Sequence, residues 1–430
     1  MSNKKKAFSV FAFFFISVVF GGFFLFKYNF IEIKKEAEKQ ADPVFKSADS
    51  ATTALKNSPP APITSQDVFE RLEITEEEKI KKEAVRKRAD NVKGVYINGY
   101  SASFENSAVR QNIKNLLVTT ELNSIVIDVK EAEGPYMPGS MKKFIDDLHK
   151  DNIWVIARIC VFRDSSLIEK NPEWYLKYNA TTSATTSELW KDSGGGYWLD
   201  PASPDVQNYI INFSKKVIDF GFDELQFDYI RFPSDGDLGT IIYPFYDREK
   251  EKSEVMKGFF SNLSESLKNY RYSVVLSVDF FGYVATQYRA LTIGQRISDI
   301  IDKFDFVSFM LYPSHFYGGF SVPKDSERGL PAVYFPYNAT DTDSVSSSHP
   351  YEVILRSIFK ALDFLNNASS TTKIRPWLQD FNLKLDTDRG IYYDAAKVRS
   401  QIQAAEDAGA SGWLLWNPSN VYTKDALMPE

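Results

Sequence analysis

Two aspartates close short strand-like runs in the middle of the chain. Asp228 ends Glu224-Leu225-Gln226-Phe227-Asp228, and Asp279 ends the run that begins at Val274. Side chains alternate between the two faces of a strand. Leu225 and Phe227 suit an apolar face, so Glu224, Gln226 and Asp228 share the other; the same parity groups Val275, Ser277 and Asp279. Ionic groups are expensive to bury unless paired, so carboxylates at two such positions ask for a reason. A pair of carboxyls on neighbouring strands suits cleavage of a glycosidic bond. One attacks the anomeric carbon or activates water, and the other protonates the leaving oxygen. A separation of about 5–5.5 Å gives retention, and about 6.5–9.5 Å gives inversion. The acid needs a drier site, or a neighbouring negative charge, to keep its proton near neutrality.

Parity adds further groups to the same face. They are Asp128 and Lys130 on a second run, Arg158 and Cys160 on a third, Tyr312 after a sixth, Trp377 and Gln379 on a seventh, and Trp416 on an eighth. Trp190, Trp198, Tyr312, Trp377 and Trp416 are candidates for stacking on sugar faces. Plainer roles stand beside these. Asp128 and Arg158 on adjacent strands also read as a simple ion pair. Glu224, about 13 Å below Asp228 at roughly 3.3 Å per residue, reads as the buried partner of another charge. Cys160 reads as a small core residue.

Other chemistries lack their residues. There is no G-x-S-x-G and no H-E-x-x-H, and Gly194-Gly195-Gly196 has no Lys and Ser/Thr to make a phosphate cradle. Three histidines, His149, His315 and His349, are too scattered for a His-based metal cage, although a cation site of backbone and carboxylate oxygens stays open. We therefore expect no cofactor, and a metal-dependent carbohydrate esterase is disfavoured. One cysteine excludes an intrachain disulfide. A net charge of −6, from 51 basic and 57 acidic residues, with no basic stripe over the folded part, argues against nucleic acid. With 43% hydrophobic and 15% aromatic residues, the chain is not a disordered protein, a collagen-like fibre or a small disulfide scaffold.

The elements that must position these residues alternate. Strand-like runs fall at 94–98, 124–129, 154–160, 224–229, 274–279, 306–311, 374–379 and 412–416. Helical patterns fall at 108–121, 140–150, 204–221, 250–270, 294–303, 351–366 and 395–409, with Gly221 and Gly409 as C-caps. This predicts an α/β protein, a (β/α)8 TIM barrel with its site at the C-terminal ends of the strands. An open doubly wound sheet would need a glycine-rich phosphate turn after the first strand, where Gly99-Tyr100-Ser101-Ala102 stands instead. Segments 161–203 and 313–349 are expected as loops over the mouth, and no eighth helix is evident.

At the N-terminus, Lys4, Lys5 and Lys6 precede an apolar run from Ala7 to Phe26 that Lys27 closes. About 20 residues at 1.5 Å each match the roughly 30 Å hydrocarbon core. The lysines predict a cytoplasmic N-terminus and an extracytoplasmic barrel on a single-pass transmembrane helix. The rival is secretion after signal cleavage. Residues 28–91 read as a flexible stalk, rich in Ala, Ser, Thr and Pro over 41–64 and then charged and helical. Expected domains are thus 1–27 tip and anchor, 28–91 stalk, and 92–430 barrel.

Several segments taken together resemble a family of glycosyl-hydrolase-like barrel proteins, DUF4015. They are GFDELQFDYIRFP from Gly221 to Pro233, IDVK at 127–130, WLDP at 198–201, Gly-Gln at 294–295, YPSHF at 312–316, RPWLQDF at 375–381 and GWLLWNP at 412–418. The resemblance covers about residues 92–425. It implies a TIM barrel related to glycoside hydrolases that act on polysaccharides. Asp228 matches the strand-four position used as nucleophile in amylase-like barrels. Asp279 falls on strand five, where that clan places its acid, typically a Glu. Asp380 is therefore kept as a rival acid. The expectation is a membrane-anchored hydrolase of an envelope or extracellular polysaccharide or oligosaccharide, touching the lipid bilayer through residues 7–26. Asp228 would be nucleophile or base and Asp279 the acid. Asp128, Lys130, Arg158, Arg231 and Gln379 would orient hydroxyls, with Tyr312, His315, Trp377 and Trp416 around them. The alternative is a non-catalytic glycan-binding or cell-wall scaffold barrel.

Overall fold

The computed structural model describes residues 74–179, 188–339 and 341–429. Eight parallel strands carry the fold: β1 Val92–Ile97, β2 Ser124–Glu131, β3 Trp154–Cys160, β4 Glu224–Asp228, β5 Val275–Phe281, β6 Phe306–Leu311, β7 Trp377–Gln379 and β8 Gly412–Trp416. Each pairs with the next, and β8 pairs with β1, so the sheet closes on itself and leaves no edge among these strands. Two short pieces join it, Gly134–Pro135 antiparallel to β2 and Lys373–Ile374 parallel to β6. Pro376, which has no N–H to give a ladder, separates the latter from β7.

Helices cover the outside: α1 Glu76–Ala89, α2 Ala108–Thr119, α3 Gly139–Lys150, α4 Pro204–Phe220, α5 Lys252–Tyr270, α6 Gly282–Gln287, α7 Pro350–Asn367 and α8 Ala395–Asp407. The helix α4 shows why they form. The Ser203 side chain accepts from Val206 N, Pro204 opens the first turn, and Gly221 closes the helix at φ 105°. Its buried residues Val206, Ile210, Ile211, Val217 and Ile218 fall at helical spacing.

One expected helix is absent. Residues 294–303 form no α-helix; Gln295–Arg296 pairs with Arg289–Ala290, and a single 3-10 turn spans Ile297–Asp299. Gly294 at φ 80° and Asp302 at φ 58° take left-handed conformations that interrupt a helix. The apolar periodicity there arises from Ile297 and Ile300 turning into the core.

The floor of the barrel is ionic. Glu224 pairs with Arg375 at 2.8 Å, both wholly buried, and Trp154 Nε1 donates to the same carboxylate at 3.0 Å. Arg375 also donates to the Ala89 carbonyl at 2.8 Å and lies over the Phe306 ring. That carbonyl belongs to α1, which a Thr75–Glu78 capping box starts. Arg86 bonds Asp305 and Lys373 bonds Asp90, so α1 packs across the N-terminal end of the barrel. The compact unit thus begins at Ile74. The apolar run 7–26 and the stalk up to residue 73 lie outside the described residues. Among those described, no helix is long and apolar enough to cross a membrane.

Candidate active site

The strand register assembles the acids. Gln226 pairs with Ser277 and Phe227 with Val278, so the register brings Asp228, the last residue of β4, next to Asp279, two residues before the end of β5. Asp128 pairs with Arg158 across β2 and β3. Arg158 bridges two carboxylates: Nη1 donates to Asp128 Oδ1 at 2.5 Å, and Nη2 and Nε donate to Asp228 Oδ2 at 2.6 and 3.1 Å. The backbone N–H of Tyr229 donates to Asp228 Oδ1 at 2.6 Å. Tyr229 makes that contact in a left-handed conformation, φ 51°, a strain of about 1–3 kcal/mol that the surroundings must hold.

Asp279 lives differently. Trp377 Nε1 donates to its Oδ1 at 3.0 Å, while Oδ2 is buried and finds no hydrogen-bond partner among the described residues. Burial first, and then the Asp228 charge, hold its carboxyl well above the usual aspartate range, against the opposing pull of Arg158. A carboxyl held in this way favours its protonated form, whose Oδ2–H can donate to a substrate oxygen. The oxygens of Asp228, by contrast, accept three N–H groups. Both remain sheltered, with Asp228 7% and Asp279 1% exposed. Gln295 steadies the end of β5 by accepting from Phe281 N and donating to the Asp279 carbonyl.

Other expected site residues are placed otherwise. Lys130 is wholly buried against Asp164 at 2.7 Å and donates to the Cys160 carbonyl, so its charge is consumed inside the protein. Cys160 is a core residue whose thiol burial pushes up to about 12. Trp377 is buried and offers its N–H to Asp279 rather than its face to a ligand. Trp190 and Trp198 are buried too, donating to the Asp237 carbonyl and to Asp192. Arg231 donates to the Phe232 carbonyl, and its guanidinium is sandwiched by the rings of Phe281, Trp198 and Tyr229. Gln379 spends its amide on Ser314 and the Phe381 carbonyl, tying β7 to the loop after β6. The carboxylate of Asp380, the rival acid, turns to the N–H and hydroxyl of Thr423. Trp416 remains partly open beneath Arg158, and Tyr312 and His315 meet edge to face at the mouth. Among the described residues no group of three or more His, Cys, Asp or Glu could hold a metal ion.

Three neighbours of the acids went unread in the sequence. Tyr96 donates to Asp128 Oδ2 at 2.6 Å, and its ring lies tilted against that of Trp416 at 4.2 Å. Strand parity held that signal, since Val95 and Ile97 face the helices. Glu131 held none, because a register shift between Asp128 and Lys130 breaks the alternation. Burial, then the Asp128 charge, pushes its carboxyl up to about 8. The role of Tyr229 rests on its backbone alone, which no sequence pattern displays.

A search of curated proteins gives no match. Similar solved structures include the glycoside hydrolase domain of PgaB (BpsB) from Bordetella bronchiseptica, with 15% identity over 79% of this chain and 99% of that one, at a TM-score of 0.49. The glycoside hydrolase domain of a PelA variant from Pseudomonas aeruginosa has 11% identity over 77% of this chain and 96% of that one, at 0.40. A hypothetical protein from Ruminiclostridium thermocellum has 29% identity over 43% of this chain and 96% of that one, at 0.36. Residues 94–422 match the family model described as "Putative glycosyl hydrolase domain", and the chain belongs to that family, DUF4015.

Proposed function

We propose that the barrel hydrolyses a glycosidic bond, with Asp228 as nucleophile or base and Asp279 as general acid. The carrying observation is the contrast between two adjacent carboxyls. Asp228 is clasped by Arg158 and an N–H, whereas Asp279 is dry, faces a negative neighbour and keeps one oxygen unpartnered. In the reaction Asp279 gives its proton to the leaving glycosidic oxygen as the bond to the anomeric carbon breaks. Asp228 either bonds that carbon or takes the proton of the attacking water. Arg158, fixed by Asp128 and Tyr96, keeps the Asp228 carboxylate aimed.

The sugar is an envelope or extracellular polysaccharide. The lysine-flanked apolar run at 7–26 supports a bilayer anchor with the barrel outside. A second reading is a binding-only barrel, favoured by the Arg158–Asp228 contact and the shelter of both acids. Product analysis separates the two. Asp228→Asn should fold normally and lose roughly 10⁴-fold or more in kcat. Asp279→Asn should lose about 10²–10⁴-fold. An unaltered rate in Asp228→Asn rejects the assignment, and glycan binding without products from the wild type selects the scaffold.

A further inference from the structure

On the side of β5 and β6 the mouth of the barrel does not close. A cavity of about 220 Å³ runs from Tyr312 past His315 to Tyr317. A second, of about 800 Å³, continues from it over Thr286, Arg289 and Ser321. Phe281, Tyr283 and Phe316 line both, so the two adjoin across these rings as successive parts of a groove. The second alone falls within the roughly 300–1,000 Å³ typical of small-molecule sites. The inner end lies near the acids: Tyr312 packs in one buried cluster with Trp377, whose Nε1 donates to Asp279.

The groove is a constructed feature. Gly282 opens α6 where a Cβ would stand 2.5 Å from the Met310 carbonyl, so only glycine lets the ends of β5 and β6 approach this closely. The Tyr283 hydroxyl accepts from Gly318 N at 2.6 Å, fastening the loop after β6 to α6. Tyr283 meets Phe316 edge to face at 4.9 Å, and His315 stacks on Tyr317 at 5.5 Å. Tyr317 leaves 56% of its surface in water while packing against the His315 and Tyr337 rings.

Sugar rings offer C–H faces that pack on aromatic rings and hydroxyls that need polar partners. This groove has aromatic walls and, farther out, Thr286, Gln287, Arg289 and Ser321. Resting on the hydrolase reading above, we propose that the groove binds the continuation of a glycan chain whose scissile bond lies at Asp228 and Asp279. The protein then cuts within chains rather than trimming single units from an end. The physical reason is the groove's shape: the larger cavity lies farther from the acids, whereas an end-trimming site would close off beyond the residue it holds.

The test uses labelled ladders of β-linked glucose, β-linked N-acetylglucosamine, α-linked galactose and uronic acid, from disaccharide to octasaccharide. Wild type, Asp228→Asn and Tyr317→Ala are compared, with Tyr317→Trp as the conservative variant. For the ladder that is cleaved, kcat/KM should rise with length and early products should be mid-sized. In Asp228→Asn, affinity should rise with length in parallel. Tyr317→Ala should shrink the long-to-short ratio of kcat/KM by roughly tenfold, and Tyr317→Trp should restore it. A cleaved ladder with no length dependence, single-unit products, or an equal loss at every length in Tyr317→Ala overturns the groove while leaving the hydrolase reading intact. If no ladder is bound or cleaved, the hydrolase reading falls and the groove with it.

Discussion

Asp228 and Asp279 differ in what surrounds their oxygens, and the difference has a pH consequence shared with Glu131. Glu131 has a carboxyl pushed up to about 8 by burial and by the neighbouring Asp128. A carboxyl whose folded pKa is raised contributes its full stability only below its unfolded value; that contribution is lost as the pH climbs from there through the folded value, and the loss levels off above it. The stability of the barrel should therefore fall as the pH rises toward about 8 and level off above it. Glu131→Gln, which cannot ionise, should be flatter over that range. Urea midpoints at pH 6.5 and 9 check this, and an equal loss in both proteins would remove Glu131 from the account. Asp279 has the same sign. Its raised carboxyl serves as an acid only while protonated, so hydrolysis should have an alkaline limb that Asp279→Asn lacks. The identities of these aspartates and their inward parity were legible in the sequence. What surrounds the Asp279 carboxyl was not, because Trp377, which donates to it, lies 98 residues away.

Individual elements also carry constraints that residue type alone hides. At Gly412, which opens β8 at φ 91°, an added Cβ would stand 1.9 Å from the Val92 carbonyl. That contact lies in the β8–β1 pairing that closes the barrel. Gly412→Ala must both adopt a left-handed conformation and push the two strands apart. We expect a loss of at least about 1–3 kcal/mol, read as a lower urea midpoint or as insoluble expression. Wild-type stability in that variant would mean that β1 and β8 tolerate separation. Strand positions were readable from runs such as 224–229 because period-two alternation is local. The register shift in β2 defeats the same rule, carrying Lys130 to Asp164 and Glu131 toward Asp128. The missing helix at 294–303 has a similar origin: Gly294 is held by its backbone turn, and a Cβ there would meet Met256 at 2.6 Å.

For the molecule as a whole, the lower end of the barrel depends on α1. A fragment beginning at Val92 would lose the Arg86–Asp305 pair and the packing of Ala89, and would leave Arg375 Nη2 without its carbonyl. An unpaired buried donor on a charged group costs at least about 1–3 kcal/mol. We expect that fragment to melt lower than one beginning at Ile74, with scanning calorimetry as the check; equal melting would show that α1 is dispensable. The sequence places residues 76–89 in a charged helical stretch, and their charges do sort along the helix, acids first and bases last. That they brace a barrel floor made of Glu224 and Arg375 depends on contacts across 286 residues of chain.

From the sequence alone come the alternation of strands and helices, the closed-barrel class and the two aspartates at neighbouring strand ends. All of these are written in local periodicity, which needs no knowledge of distant residues. Only the folded barrel decides how the polar side chains spend themselves: Arg158 between Asp128 and Asp228, Lys130 on Asp164, Asp380 on Thr423, and Trp190 and Trp198 in the core. The closure of the barrel and the folding of its loops choose those partners. Burial then turns each choice into a charge kept, a proton held or a ring hidden.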